Sequence, residues 1–191
     1  MDKREYADAH GEKIGADVKN VITGRRERIT VKRSIGALCW KILAILAILW
    51  ALFSAAFGIG AVSGEGMYPR LRDGDLAVYY RLERERNVGD VVAYRTDGQL
   101  RYGRIVAMSG DTVDMDEDGQ LLVNGSVQQE EIFFPTRKEG RAAALPVTLG
   151  EGEVFVLGDN REYAKDSRDF GPISNAQIKG KVISLLRSRG I

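Results

Sequence analysis

Positions 42–62 form a run of 21 residues without a single charge, and this run constrains the chain more than any other feature. At about 1.5 Å per residue, a helix of that length covers roughly 30 Å, the hydrocarbon thickness of a bilayer. The expectation is a membrane-spanning helix over 42–62, with Trp40 at an interface. A cleaved signal sequence competes, because Ala55, Ala56, Gly58 and Gly60 supply small residues near the end of the run. The run is long for such a signal, and the polar segment before it far exceeds a normal n-region, so a retained span is preferred. Six basic residues (Arg25, Arg26, Arg28, Lys32, Arg33, Lys41) precede the run, against three (Arg70, Arg72, Arg81) soon after it. That bias places the N-terminus in the cytoplasm and the C-terminal part outside the cell membrane.

The chain therefore divides into a polar leader over 1–41, a span over 42–62 and an extracytoplasmic domain over 63–191. Weak apolar spacing at Val18, Val21 and Ile22 allows a short helix in the leader. Its basic end either touches anionic lipid or simply sets orientation. With 191 residues and 44% hydrophobic content, the chain holds one well-cored domain plus the anchor. Charge is balanced, 28 basic against 27 acidic, which gives no reason to expect a nucleic-acid partner. Cys39 and His10 are each the sole residue of their kind. An intrachain disulfide is thereby excluded, along with thiolate or histidine-rich metal sites and His-based triads unless His10 serves. No cofactor and no metal is expected.

Beyond residue 63 the pattern changes to short β-like segments separated by turns. Segments 76–80, 91–94 and 100–108 are rich in β-branched and aromatic residues. Asp118-Gly119 and Asn124-Gly125 read as tight turns around Leu121, Leu122 and Val123. A buried strand is expected at 154–157 and a closing one at 178–186. Ser174 and Gln177 have capping-box spacing, so one helical turn is expected there. The domain reads as mainly β, with antiparallel sheets in a barrel-like or folded arrangement and a smaller subregion over 114–153.

Three blocks then stand in a suggestive order. Gly64-Glu65-Gly66-Met67-Tyr68-Pro69 follows the apolar run. Tyr102-Gly103-Arg104-Ile105-Val106-Ala107 precedes Gly110-Asp111, and Gly158-Asp159-Asn160-Arg161 leads to Asp166-Ser167-Arg168. Together they resemble the type I signal peptidases, in the small single-span form typical of Gram-positive bacteria. The resemblance implies a serine nucleophile just before Met67, a lysine base just before Arg104 and a lysine-orienting serine four residues before Arg168. Those positions hold Gly66, Gly103 and Ala164. A buried neutral lysine would be needed as base, and Arg104 cannot serve because guanidinium keeps its proton. Lys138, Lys165, Lys179 and Lys181 are the lysines beyond the apolar run, and none occupies a motif position. Ser63 is displaced from the nucleophile position by roughly 10 Å of extended chain, and Ser109 stands where the family usually has a proline.

The resemblance further implies a cleft that takes an extended peptide as an added strand, with Gly64, Glu65, Met67, Pro69 and Tyr102 as candidate lining. It also implies a structural pair, Asp166 with Arg168, and a possible pairing of Asp159 with Arg104. Altered sequences of this kind are similar to the signal-peptidase-like factors of pilus assembly in Gram-positive bacteria. The implied role is non-catalytic binding of exported polypeptides, with pilins and a sortase as partners besides the lipid bilayer. The alternatives are an active type I signal peptidase using another nucleophile, and a β domain that only packs against a membrane protein.

Overall fold

The computed structural model describes residues 36–116, 118–128 and 144–187. His10, the leader positions Val18, Val21 and Ile22, the basic residues 25–33 and Lys138 lie outside them. The chain separates into two units, Met1–Leu52 and Phe53–Ile191.

Helix α1, Gly36–Ala56, is long and apolar enough to cross a membrane by length and composition. Leu43, Ile45, Leu46, Leu49 and Trp50 are exposed around it, as in a helix whose apolar surface has lipid rather than protein to face. The helix is displaced from the expected 42–62. It starts six residues earlier and stops at Ala56, and the end of the apolar run turns into strand β1, Phe57–Ala61. Gly58 and Gly60 explain the break. Glycine is a poor helix former, and both positions are pressed by aromatic rings. A Cβ on Gly58 would lie 2.2 Å from the Tyr79 ring, and one on Gly60 would lie 2.4 Å from the Tyr102 hydroxyl. The small residues that suggested a cleavage site instead let β1 approach those side chains.

The remaining strands are β2 (Leu76–Tyr80), β3 (Val91–Thr96), β4 (Gln99–Ala107), β5 (Thr112–Met115), β6 (Leu121–Val123), β7 (Ser126–Val127), β8 (Val147–Thr148), β9 (Glu153–Leu157), β10 (Ile173–Ser174) and β11 (Ile178–Leu186). A one-turn helix α2, Ser167–Phe170, lies between β9 and β10. They form an antiparallel seven-stranded sheet, β1-β2-β11-β3-β4-β9-β10, and a four-stranded one, β7-β6-β5-β8. The sheets are open, so the folded arrangement holds and no strand pairing closes a barrel among the described residues. The strands of the smaller sheet begin at Thr112 and end at Thr148. Thr112 and Val113 pair with Thr148 and Val147, whereas Glu153 opens a strand of the larger sheet.

Alternation along β3 sets up the core. Val91 and Ala93 face one side, with Met67, Ala77, Tyr79 and Tyr102. Val92 and Tyr94 face the other, with Ile105, Val154, Val156 and Ile173. Period-2 alternation puts apolar side chains on both faces of the central strands, as burial on two sides requires. The Asn124-Gly125 turn joins β6 to β7 with φ of 52° and 76°, the left-handed pair that an Asn-Gly hairpin favours. Asp97-Gly98, with φ of 49° and 75°, makes the same kind of turn between β3 and β4, although the sequence reading passed over it. No helix forms at 174–177, only a tight turn in which Gln177 N donates to Ser174 O at 3.0 Å. Ser174 N and Oγ both bond Gln177 Oε1 at 2.9 Å. Arg95 N takes the Gln177 carbonyl at 2.9 Å, drawing the chain straight into β11.

Candidate functional site

The 63–71 segment leaves β1 as a run of turns with its ends pinned. Val62 N donates to Asp75 O at 2.8 Å, and Gly64 N to Asp73 Oδ1 at 2.7 Å. Gly64 has φ of 81°, where a side chain would be strained. Within the segment, Tyr68 N bonds Glu65 O at 3.0 Å and Leu71 N bonds Met67 O at 2.9 Å. Met67 and Leu71 are buried in the sheet core, so the turns are anchored from beneath. Asp75 holds the return of the loop. The backbone N–H of Arg72, 3.0 Å from Asp75 Oδ2, keeps its carboxyl below the usual range, with Arg187 adding to the effect and burial opposing it.

The third block folds back onto this segment. Asn160 N donates to Gly66 O at 3.0 Å, and Ala164 N to Asn160 O at 3.0 Å. Gly158 packs beneath the junction, where an added Cβ would come within 2.4 Å of Gly66 O and 2.2 Å of Ala164 Cβ. Asp166 fastens the block. Its carboxylate accepts from Gly158 N at 3.0 Å and, in a forked pair, from Arg168 Nε at 2.8 Å and Nη2 at 2.7 Å. Both side chains are 1% exposed, so the charges stabilise each other where water does not reach. Asp166 also caps α2 in a capping box with Asp169. Arg104 reaches Asp159 through Nε at 2.8 Å and Nη2 at 2.6 Å, tying β4 to the same block.

These contacts leave a pocket of about 240 Å³. Gly64, Glu65, Gly66, Met67, Tyr102 and Ala164 all line it. Pro69 does not; it follows a cis peptide bond farther along the turns. Gly103 is also absent from the lining; two residues from Arg101 in β4, it sits where neighbouring atoms fill the space. A Cβ there would meet Val156 Cγ1 at 2.3 Å, Leu157 O at 3.3 Å and Tyr94 Cε1 at 3.4 Å. A Cβ on Gly66 would lie 3.1 Å from Ala164 Cα, a tight but open approach. Tyr94 runs beneath, its hydroxyl 3.4 Å from Lys165 O. Burial first, then the Asp166 charge, pushes that phenol far above its ordinary value.

Extended-chain arithmetic separates Ser63 from position 66, but the turn at Gly64 keeps Ser63 on the wall of the same pocket. Ser109 serves structure elsewhere: its Oγ bonds Glu153 O at 3.1 Å and accepts from Gly152 N at 3.0 Å. The sequence reading did not place six of the lining residues there: the apolar Val62 and Leu100, and Gln99, Arg101, Tyr163 and Lys165. Arg101 and Lys165 stand within two residues of Gly103 and Ala164, so the signal was adjacency to the motif blocks. Among the described residues, no group of His, Cys, Asp or Glu is placed to hold a metal ion.

A family model described as signal peptidase, peptidase S26, matches residues 35–186. The chain belongs to that family. It is 34% identical to signal peptidase I of Bacillus licheniformis over 156 residues, covering 74% of this chain and 83% of that protein. It is 31% identical to signal peptidase I S of Bacillus subtilis (strain 168) over 172 residues, covering 82% and 91%. A crystal structure of a signal peptidase I from Enterococcus faecalis V583 shares 29% identity with a TM-score of 0.44, over 53% of this chain and 98% of that one. Family membership and the apolar helix α1 together make this a membrane-anchored protein.

Proposed function

We propose that this member of the signal peptidase family binds extended segments of exported polypeptides without cleaving them. In this reading it is an accessory factor for pilin assembly, with a sortase as companion, or for protein export. One observation carries the reading: Gly66 and Ala164 offer the pocket only main chain and a methyl group, while Val156 and Tyr94 crowd the space beside Gly103. Peptide capture needs no nucleophile. Strand β1 is an outer strand of the seven-stranded sheet, and the chain passes from its end directly into the pocket wall. A polypeptide pairing with that edge would run toward the pocket, with main-chain hydrogen bonds supplying affinity. The charge bias around the span favours a cytoplasmic N-terminus, which would put the pocket on the outer side of the membrane.

The test uses the full-length protein in detergent micelles with a fluorescent peptide spanning a signal-peptide cleavage region. Anisotropy reports binding and mass spectrometry reports cleavage. Saturable binding without turnover is expected. For the assembly role, deleting the gene should shorten or deplete pilus polymers, and unchanged polymers would remove that part of the proposal.

A second reading, an active signal peptidase, is favoured by Ser63 and Lys165 lining the same pocket. Both are exposed, whereas a lysine base needs an apolar site that disfavours its charged form. Turnover that disappears in Ser63→Ala would establish this second reading and displace the first.

A further inference from the structure

The pocket wall carries two cations, Arg101 and Lys165, and one acid, Glu65, which is exposed to solvent. Among the described residues neither cation has a carboxylate within ion-pair distance. Four other cations of the domain are paired: Arg104 with Asp159, Arg168 with Asp166, Lys181 with Asp90 and Arg187 with Asp75. Arg101 is held in place by neutral groups. Its Nη2 donates to Gln99 Oε1 at 2.8 Å, and its guanidinium carbon lies 5.0 Å from the Phe170 ring centroid. Its Nε is buried with no hydrogen-bond partner among the described residues. Tyr102 on the same wall is only 8% exposed, and its hydroxyl also lacks a partner.

A guanidinium fixed by neutral neighbours keeps donors in reserve for a planar acid group. The wall therefore combines a pre-positioned fork, an exposed ammonium and a floor that Gly66 leaves free of side chains. We propose that the pocket is a carboxylate site, in which Arg101 and Lys165 hold the acid group of a bound polypeptide, either its C-terminus or an Asp or Glu side chain. This rests on the peptide-binding reading and names what that peptide must carry. A carboxylate arriving along β1 would take the Arg101 fork and bring Lys165 over it, and no bond is made or broken.

Three labelled versions of one short Val/Ala peptide test the idea on the full-length protein in micelles: the free C-terminal acid, the neutral amide, and the amide with one internal Asp. At least one acid-bearing peptide should bind about tenfold more tightly than the neutral amide, as a charge-assisted hydrogen bond allows. Whichever acid form is preferred identifies the source of the carboxylate. In Arg101→Gln the preference should collapse to within about twofold, and in Lys165→Gln it should fall partway. Lys165 is exposed, so its variant preserves the test if the Arg101 variant does not fold. Equal binding of all three peptides, or a preference that survives both substitutions, overturns the carboxylate site and leaves the peptide-binding reading standing. Absence of binding by every peptide removes both.

Discussion

Replacing Gly103 with alanine probes whether the space beside that residue has room for a base. Val156 Cγ1 would sit 2.3 Å from the new Cβ, against an optimal carbon–carbon separation of about 3.5–4.0 Å. Relief needs more than about 1 Å of movement by a β-branched side chain with restricted rotamers, at an overpacking cost of about 1–3 kcal/mol. Alanine is better than glycine within a strand by about 0.5–1 kcal/mol, so the net loss should be centred on about 1 kcal/mol and reach at most about 2.5 kcal/mol. Val156→Ala removes the obstructing methyls and costs about 1.5–3 kcal/mol alone, from lost burial and the cavity. On that background Gly103→Ala should become neutral or stabilising, giving a favourable coupling of about 1–2 kcal/mol. Both tryptophans lie in α1, so the melts should be followed by near-UV circular dichroism of the tyrosines. Each kcal/mol should move Tm by about 2–6 °C. Additive losses in the double variant would refute the steric account. If the coupling holds, rebuilding Gly66→Ser, Gly103→Lys and Ala164→Ser should give measurable peptide hydrolysis only when Val156→Ala is included.

Asp166→Asn should cost about 3–5 kcal/mol, because it strands the buried Arg168 charge; a loss under about 1 kcal/mol by thermal or denaturant unfolding would contradict the pairing described. Asp159→Asn breaks a partly exposed pair with Arg104 and should cost only about 1 kcal/mol, less at high salt, in the same unfolding assay. The folded pKa of Asp75 lies below its ordinary value, so its ionised form contributes stability above about pH 4 that is lost as pH falls through the folded pKa. The stability gap between wild type and Asp75→Asn should therefore be full at neutral pH and shrink below about pH 4. A gap that widens on acidification would reverse the sign argued for that carboxyl.

The strands at 76–80, 91–94 and 154–157 were legible because β-branched and aromatic residues alternate there between turn signals. The motif blocks were legible as well, since their order is a property of the chain itself. The Ser174–Gln177 spacing misled only in part: Gln177 Oε1 does accept from Ser174 N as in a capping box, but Arg95 of β3 takes the Gln177 carbonyl that a continuing helix would need. The end of the apolar run misled for a related reason: hydropathy does not distinguish the last turn of a membrane helix from an edge strand. Gly58 and Gly60 became informative only against the rings of Tyr79 and Tyr102.

By itself the sequence determined what positions 66 and 103 cannot supply, because a residue without a side chain offers no nucleophile or base in any fold. It also determined the apolar anchor and the β character of the rest, which follow from composition and local periodicity. Only the tertiary structure decided which residues stand around those positions. Val156 beneath Gly103, and Arg101 and Lys165 on the pocket wall, are set by strand register and by the return of the 158–168 loop onto Gly66. Those are relations between residues distant in the chain, which burial and pairing fix together and no local pattern records.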